Sequence, residues 1–154
     1  MLVSQSDGAM KKFRRTPWRF QQTFVTPLKD LTAFTAAILG SIPELASGTV
    51  VIDQVVFQAE TLEALLSQRQ LSLPLHQDAS ITAETSEEVQ PLLIAALSDW
   101  VDFAFTPSPN PFVIYSDHDE FTTFFASSKS HLNSVATVLG NGGFKAAENY
   151  TREV

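Results

Sequence analysis

The sequence predicts an α+β domain: a mixed, mainly antiparallel sheet of about five to six strands with helices packed on it, a two-layer sandwich. Two period-two or β-branched runs, at 18–26 and 49–57, indicate strands, and the 3.6-residue stripes at 28–45 and 86–100 indicate helices. The order of these elements, strand and helix interleaved and then strands in close succession, gives the mainly antiparallel sheet. With 154 residues, 44% of them hydrophobic and 18% charged, the chain suits one folded domain with a sizeable core.

Residues 1–12 hold little apolar pattern and are expected to form a disordered leader, with the single domain at 13–154. Met10-Lys11-Lys12 has the look of a natural start, and residues 1–9 would then lie upstream of it. Trp18, Phe20, Gln22 and Phe24 alternate with Arg19, Gln21, Thr23 and Val25, the first strand. Thr26-Pro27 offers an N-cap and a first-turn proline for a helix striped by Leu28, Leu31, Phe34 and Ile38 and stopping between Gly40 and Pro43. The run Thr49–Phe57 is almost continuously apolar, which predicts a central strand with Val51, Val55 and Phe57 buried, joined by Ile52 or Val56 or both.

Glu60–Leu66 reads as a short helix. From Gln68 to Thr85 there is no strong period, so a long loop is expected. Ser86-Glu87-Glu88 opens a helix, its acidic first turn favoured by the macrodipole, that runs to about Trp100. Val101–Thr106 and Pro111–Tyr115 are strands around a Pro-Ser-Pro-Asn connection. Asp117–Glu120 has two readings: a helix start with capping-box spacing, or a hairpin turn leading into a strand at Phe121–Phe125. The hairpin is favoured, because Thr and Phe are poor helix formers and Ser127-Ser128 supplies a natural N-cap. A helix then ends at Leu139-Gly140, and Phe144–Arg152 is expected to be the last strand.

Composition excludes several function classes. There is no cysteine, hence no disulfide scaffold, thiolate metal site or cysteine nucleophile, and a reducing cytoplasm fits. No apolar run is long enough to span a bilayer, and no membrane partner is expected. Five of the ten basic residues fall between Lys11 and Arg19; from Phe20 onward five basic residues face sixteen acidic ones, a net of −11. Such a body repels a phosphate backbone, so nucleic acid is not an expected partner, whereas a basic protein is.

Ser116-Asp117-His118-Asp119-Glu120 is the densest polar cluster. His118 among carboxylates has the chemistry of a general base or metal ligand, but adjacent residues point in different directions and no second histidine lies three or four residues away. Neither a metal nor another cofactor is therefore expected, and no catalytic residue is assigned. The candidate binding residues are Asp117, His118, Asp119 and Glu120 with the strand-end aromatics Trp18 and Tyr115; Phe13, Trp100 and Tyr150 are further aromatics near strand ends. Asp53 and Asp102 sit within strand-like runs, so each is expected either to face solvent at an edge or to serve a site, and Arg19 and Arg152 are the expected partners.

In size and acidity the body resembles the inhibitors that neutralise bacterial toxins, a likeness of class that carries no motif and no residues. The expectation is a non-enzymatic interaction protein with an acidic surface for a basic partner, a homodimer being compatible with it. The alternative is a small-molecule-binding or hydrolytic α+β domain with a phenylalanine-lined pocket near His118.

Overall fold

The computed structural model describes residues 1–153. Seven strands form one sheet in the order β1-β4-β3-β5-β6-β7-β2: β1 (Leu2–Gln5), β2 (Phe20–Val25), β3 (Ser47–Gln54), β4 (Ala79–Ala83), β5 (Asp102–Ser108), β6 (Val113–Ser116) and β7 (Phe121–Ala126). Every strand pairing is antiparallel, so the sheet is not mixed. Five helices complete the described residues: α1 (Ala9–Arg15), α2 (Leu31–Gly40), α3 (Glu60–Gln68), α4 (Ser86–Ser98) and α5 (Lys129–Asn141).

The α+β class stands, and the hairpin reading of 117–120 is the one the chain adopts. Helices α2 to α5 cover one face of the sheet over a core that includes Phe34, Ile38, Val50, Ile52, Leu92, Phe103, Phe105 and Phe124. Short α1 crosses the other face, closing a smaller cluster of Met10, Phe13, Ala104, Val113, Tyr115 and Phe125. Helices thus lie on both faces rather than in two layers.

The strand count reaches seven because two strands arise where none was expected and one expected strand is missing. Residues 1–12 are not a disordered leader: β1 pairs with β4 from Leu2↔Thr82 to Gln5↔Ala79, and Met10 is buried. What orders this segment lies far away in sequence. Asp78 accepts hydrogen bonds from the Gly8 and Met10 amides at 2.8 and 2.9 Å, which satisfies the free N–H groups at the start of α1. Inside the expected long loop, Ala79-Ser-Ile-Thr-Ala forms β4 between β1 and β3. Its small residues give it little strand signal, yet pairing on both sides holds it.

Phe144–Arg152 is not a strand. It reaches the outer edge of β2 through one bridge, Phe24↔Ala146, flanked by Val25 N–H to Lys145 O and Ala147 N–H to Thr23 O, both 2.9 Å. Helix α2 begins at Leu31 after Asp30, not at Pro27, because Pro27–Asp30 closes its own turn and Thr26 is engaged with Thr122 instead.

Strand β3 also departs from expectation. It ends at Gln54, with a bulge between Ile52 and Gln54. Val50 and Ile52 face the helical core, Val51 and Val55 are half-buried, and Val56 and Phe57 are exposed at 45% and 58%. Unbroken alternation would have kept Val55 and Phe57 on the α1 side with Val51; past the bulge Val55 packs against the helical core instead, and Phe57 lies beyond the end of the strand.

Candidate functional site

The face crossed by α1 divides into an apolar half under that helix and a polar half beyond it. Tyr115 lies at the border, stacked on Phe13 at 5.9 Å between ring centres. Its hydroxyl donates to Asp53 at 2.6 Å, and the same carboxylate pairs with Arg14 and accepts from Gln77 at 3.2 Å. Burial pushes the Asp53 carboxyl up, but the donors Arg14, Tyr115 and Gln77 outweigh it and hold it below its ordinary value. Burial and the neighbouring Asp53 raise Tyr115 well above the usual phenol range. Tyr115 is 8% exposed, so it supports this face from inside and is not a surface anchor.

Arg152 continues the polar network. Its guanidinium donates to Asp117 at 2.7 Å and to Thr123 at 2.9 Å, and it lies over the rings of Tyr115 and Tyr150 at 4.7 and 5.5 Å. The expected pairing of Arg19 and Arg152 with Asp53 and Asp102 is not what forms. Arg14 takes Asp53, Arg152 takes Asp117, and Arg19 lies over Phe20.

Asp102 instead orients His118. Its carboxylate, 6% exposed, accepts from Gln54 Nε2 at 2.9 Å and from the His118 main-chain N–H at 2.8 Å. His118 Nδ1 sits 2.8 and 3.1 Å from the two Asp102 oxygens. The hydrogen bond to Asp102, with the added fields of Asp102, Asp119 and Asp117, raises the imidazole pKa against the opposing effect of burial. Because a carboxylate can only accept, Nδ1 carries the proton of the neutral ring, and Nε2 presents a lone pair. Asp119 Oδ1 lies 3.8 Å from that Nε2.

The local fold that holds His118 is the β6–β7 hairpin. Asp117 accepts from the Asp119 and Phe121 amides at 2.9 and 3.2 Å, and Glu120 takes a left-handed φ of 68° that turns the chain back. Asp117 is thereby spent on the turn and on Arg152, while Asp119 and Glu120 stand exposed.

Beside His118 is a hollow of about 320 Å³ lined by Phe57, Trp100 and His118. Two backbone features build it. Trp100 leaves α4 with a left-handed φ of 59°, and buried Asp99 just before it accepts from the Thr61 and Leu62 amides at 3.1 and 2.8 Å. That cap ties the start of α3, and so the Val55–Ala59 segment leading into it, to the end of α4. Phe57 and Trp100 come together through this link, although 43 positions separate them in the chain.

Of the residues singled out from sequence, His118 and Asp119 share this corner, with Asp117 bracing it from inside, while Glu120 is exposed in the turn. Trp18 is elsewhere: it packs on Phe13 and Phe125 at 6.0 and 5.9 Å, and its buried indole N–H has no partner among the described residues. Sequence reasoning missed Phe57, which it assigned to the core, and Asp102 as the partner of His118. The signal for Asp102 was present in the cost of an acid within a strand; its partner was not. Among the described residues no group of three or more His, Asp or Glu side chains stands close enough to hold a metal ion.

Comparison of the chain with known protein families, curated proteins and solved structures finds no match.

Proposed function

We propose that this chain is a non-enzymatic binding protein for a basic protein partner, with the Phe57–Trp100–His118 corner as the contact surface. The observation that carries the reading is Phe57: a large aromatic ring 58% exposed beside Trp100 and His118, on an acidic body, with exposed Asp119 reaching His118. Aromatic anchors with a charged rim are what interfaces use for affinity and for steering. An inhibitor that neutralises a basic enzyme or toxin in a cytoplasm is the setting this surface suits. In affinity capture from native lysate, the wild-type chain should retain a basic protein at low salt that Phe57→Ala and Asp119→Lys lose. Identical recovery by all three baits would overturn the reading.

One observation favours hydrolysis as the second reading: the Asp102–His118 pair has the orientation of a general base. The side chains within reach of the ring nitrogens are carboxylates, however, and none is a hydroxyl nucleophile. Ester or amide turnover by the purified chain that disappears in His118→Ala would move this reading to the front.

A further inference from the structure

We infer that the Phe57–Trp100–His118 hollow is a subsite for one arginine side chain of the partner, its guanidinium lying against the aromatic rings and donating to His118 Nε2 and Asp119. This rests on the binding-protein reading and gives the chemistry of its contact.

The hollow combines an aromatic lining with acceptors and no competing donor on the neutral imidazole. Phe57 and Trp100 line it with aromatic rings, whose faces attract a cation and favour a planar one. Asp102 holds Nδ1–H, so Nε2 is left as an acceptor; Asp119, 73% exposed and 3.8 Å from Nε2, is a second acceptor that pairs with no other cation among the described residues. Its formal charge favours the occupant further: around His118 stand Asp102, Asp117 and Asp119, of which only Asp117 already has a guanidinium partner. The protein uses the same recognition internally, where Arg152 lies over Tyr115 and Tyr150 while donating to Asp117. A lysine ammonium would satisfy the acceptors but could not stack on an aromatic ring as a guanidinium does.

Protonation of His118 turns Nε2 into a donor and adds a positive charge to the site. Guanidinium binding should therefore be strongest where His118 is neutral and weaken as pH falls through its raised pKa. The charged groups facing the ring are Asp102 from β5 and Asp117 and Asp119 from the hairpin.

The test is a titration of the whole protein with N-acetyl-arginine-N-methylamide, following the two tryptophan indole N–H signals by NMR. Trp100 should shift saturably with a dissociation constant of about millimolar order, as expected for one small side chain, while Trp18, on the α1 side, stays still as an internal reference. The neutral citrulline analogue and the lysine analogue should bind several-fold more weakly. Asp119→Asn, at an exposed position, should weaken arginine without unfolding the protein. His118→Gln should flatten the pH dependence. An unmoved Trp100, or citrulline or lysine binding as well as arginine, would overturn the inference. The outcome is separable from that of the capture experiment: a partner lost by Phe57→Ala alongside a silent arginine titration would sustain the binding surface and remove the arginine subsite.

Discussion

Arg152 joins the C-terminal segment to three strands and the hairpin at once. Besides its contacts to Asp117 and Thr123, its main-chain N–H donates to Gln21 Oε1 at 2.8 Å and its carbonyl accepts from Gln21 Nε2 at 3.1 Å. At 9% exposure the side chain has little water to fall back on. Arg152→Ala would leave Asp117 without its cation and should cost about 3 kcal/mol, the order observed when one partner of a buried pair is removed. Urea unfolding should show a lower midpoint with an unchanged slope. Gly48 gives a contrasting residue-scale case. A Cβ there would meet Phe105 Cε2 at 2.7 Å, and no left-handed φ is involved. Gly48→Ala should therefore destabilise by overpacking, about 1–3 kcal/mol, and Phe105→Leu should recover part of the loss in the double variant. Additive losses would contradict the steric account.

At the scale of elements, β1 and α1 show how a weakly patterned segment acquires structure. Val3 and Met1 are half-buried against the main core, Met10 is buried under the second face, and Asp78 caps the helix between them. Removing residues 1–5 should expose the edge of β4 and the apolar groups beneath, lowering stability by roughly 2 kcal/mol for two half-buried side chains, or about 4–8 °C in Tm for a domain of this size. Calorimetry of the truncated chain checks this, and an unchanged Tm would return the segment to the role of a dispensable leader. The opposite edge needs no such strand, because residues 145–152 run along β2 and hold its outer hydrogen-bonding groups. These contacts were not legible from residues 144–152 themselves, whose alternation imitates a strand.

For the molecule as a whole, two titrating groups set opposite limits on stability. His118 has a raised pKa in the folded state, so its contribution is complete below its unfolded value of about 6.5 and fades as pH rises through the folded value. Asp53 is lowered, so its contribution is complete above its unfolded value of about 3.8 and fades as pH falls through the folded value. Both are fully engaged only between those limits. Unfolding free energy measured across pH should therefore peak in mildly acid solution, and His118→Gln should lessen the decline on the alkaline side. A variant that tracks the wild type at every pH would show that Asp102 gains nothing from the imidazole. Arginine binding has the reverse preference, since it needs His118 neutral; stability and binding should pull apart as pH rises.

Local pattern was sufficient for α3, α4, the β5–β6–β7 succession and the 117–120 turn. In each of these, propensity and apolar spacing within about ten residues agree, and α5 adds a local cap at Ser128, whose side chain accepts from the His131 amide. It also marked His118 and its neighbouring acids as the polar focus. Tertiary structure alone decided the rest. Strands β1 and β4 exist through each other and through β3; Phe57 is exposed because a bulge at Asp53 ends β3 early; and His118 is oriented by an aspartate 16 residues away, across the β5–β6 pairing. The physical reason is common to all three. A short strand, a bulge and a hydrogen-bonded carboxylate are each stabilised by groups distant in the chain, and a periodicity read along one segment carries no information about which distant group will face it.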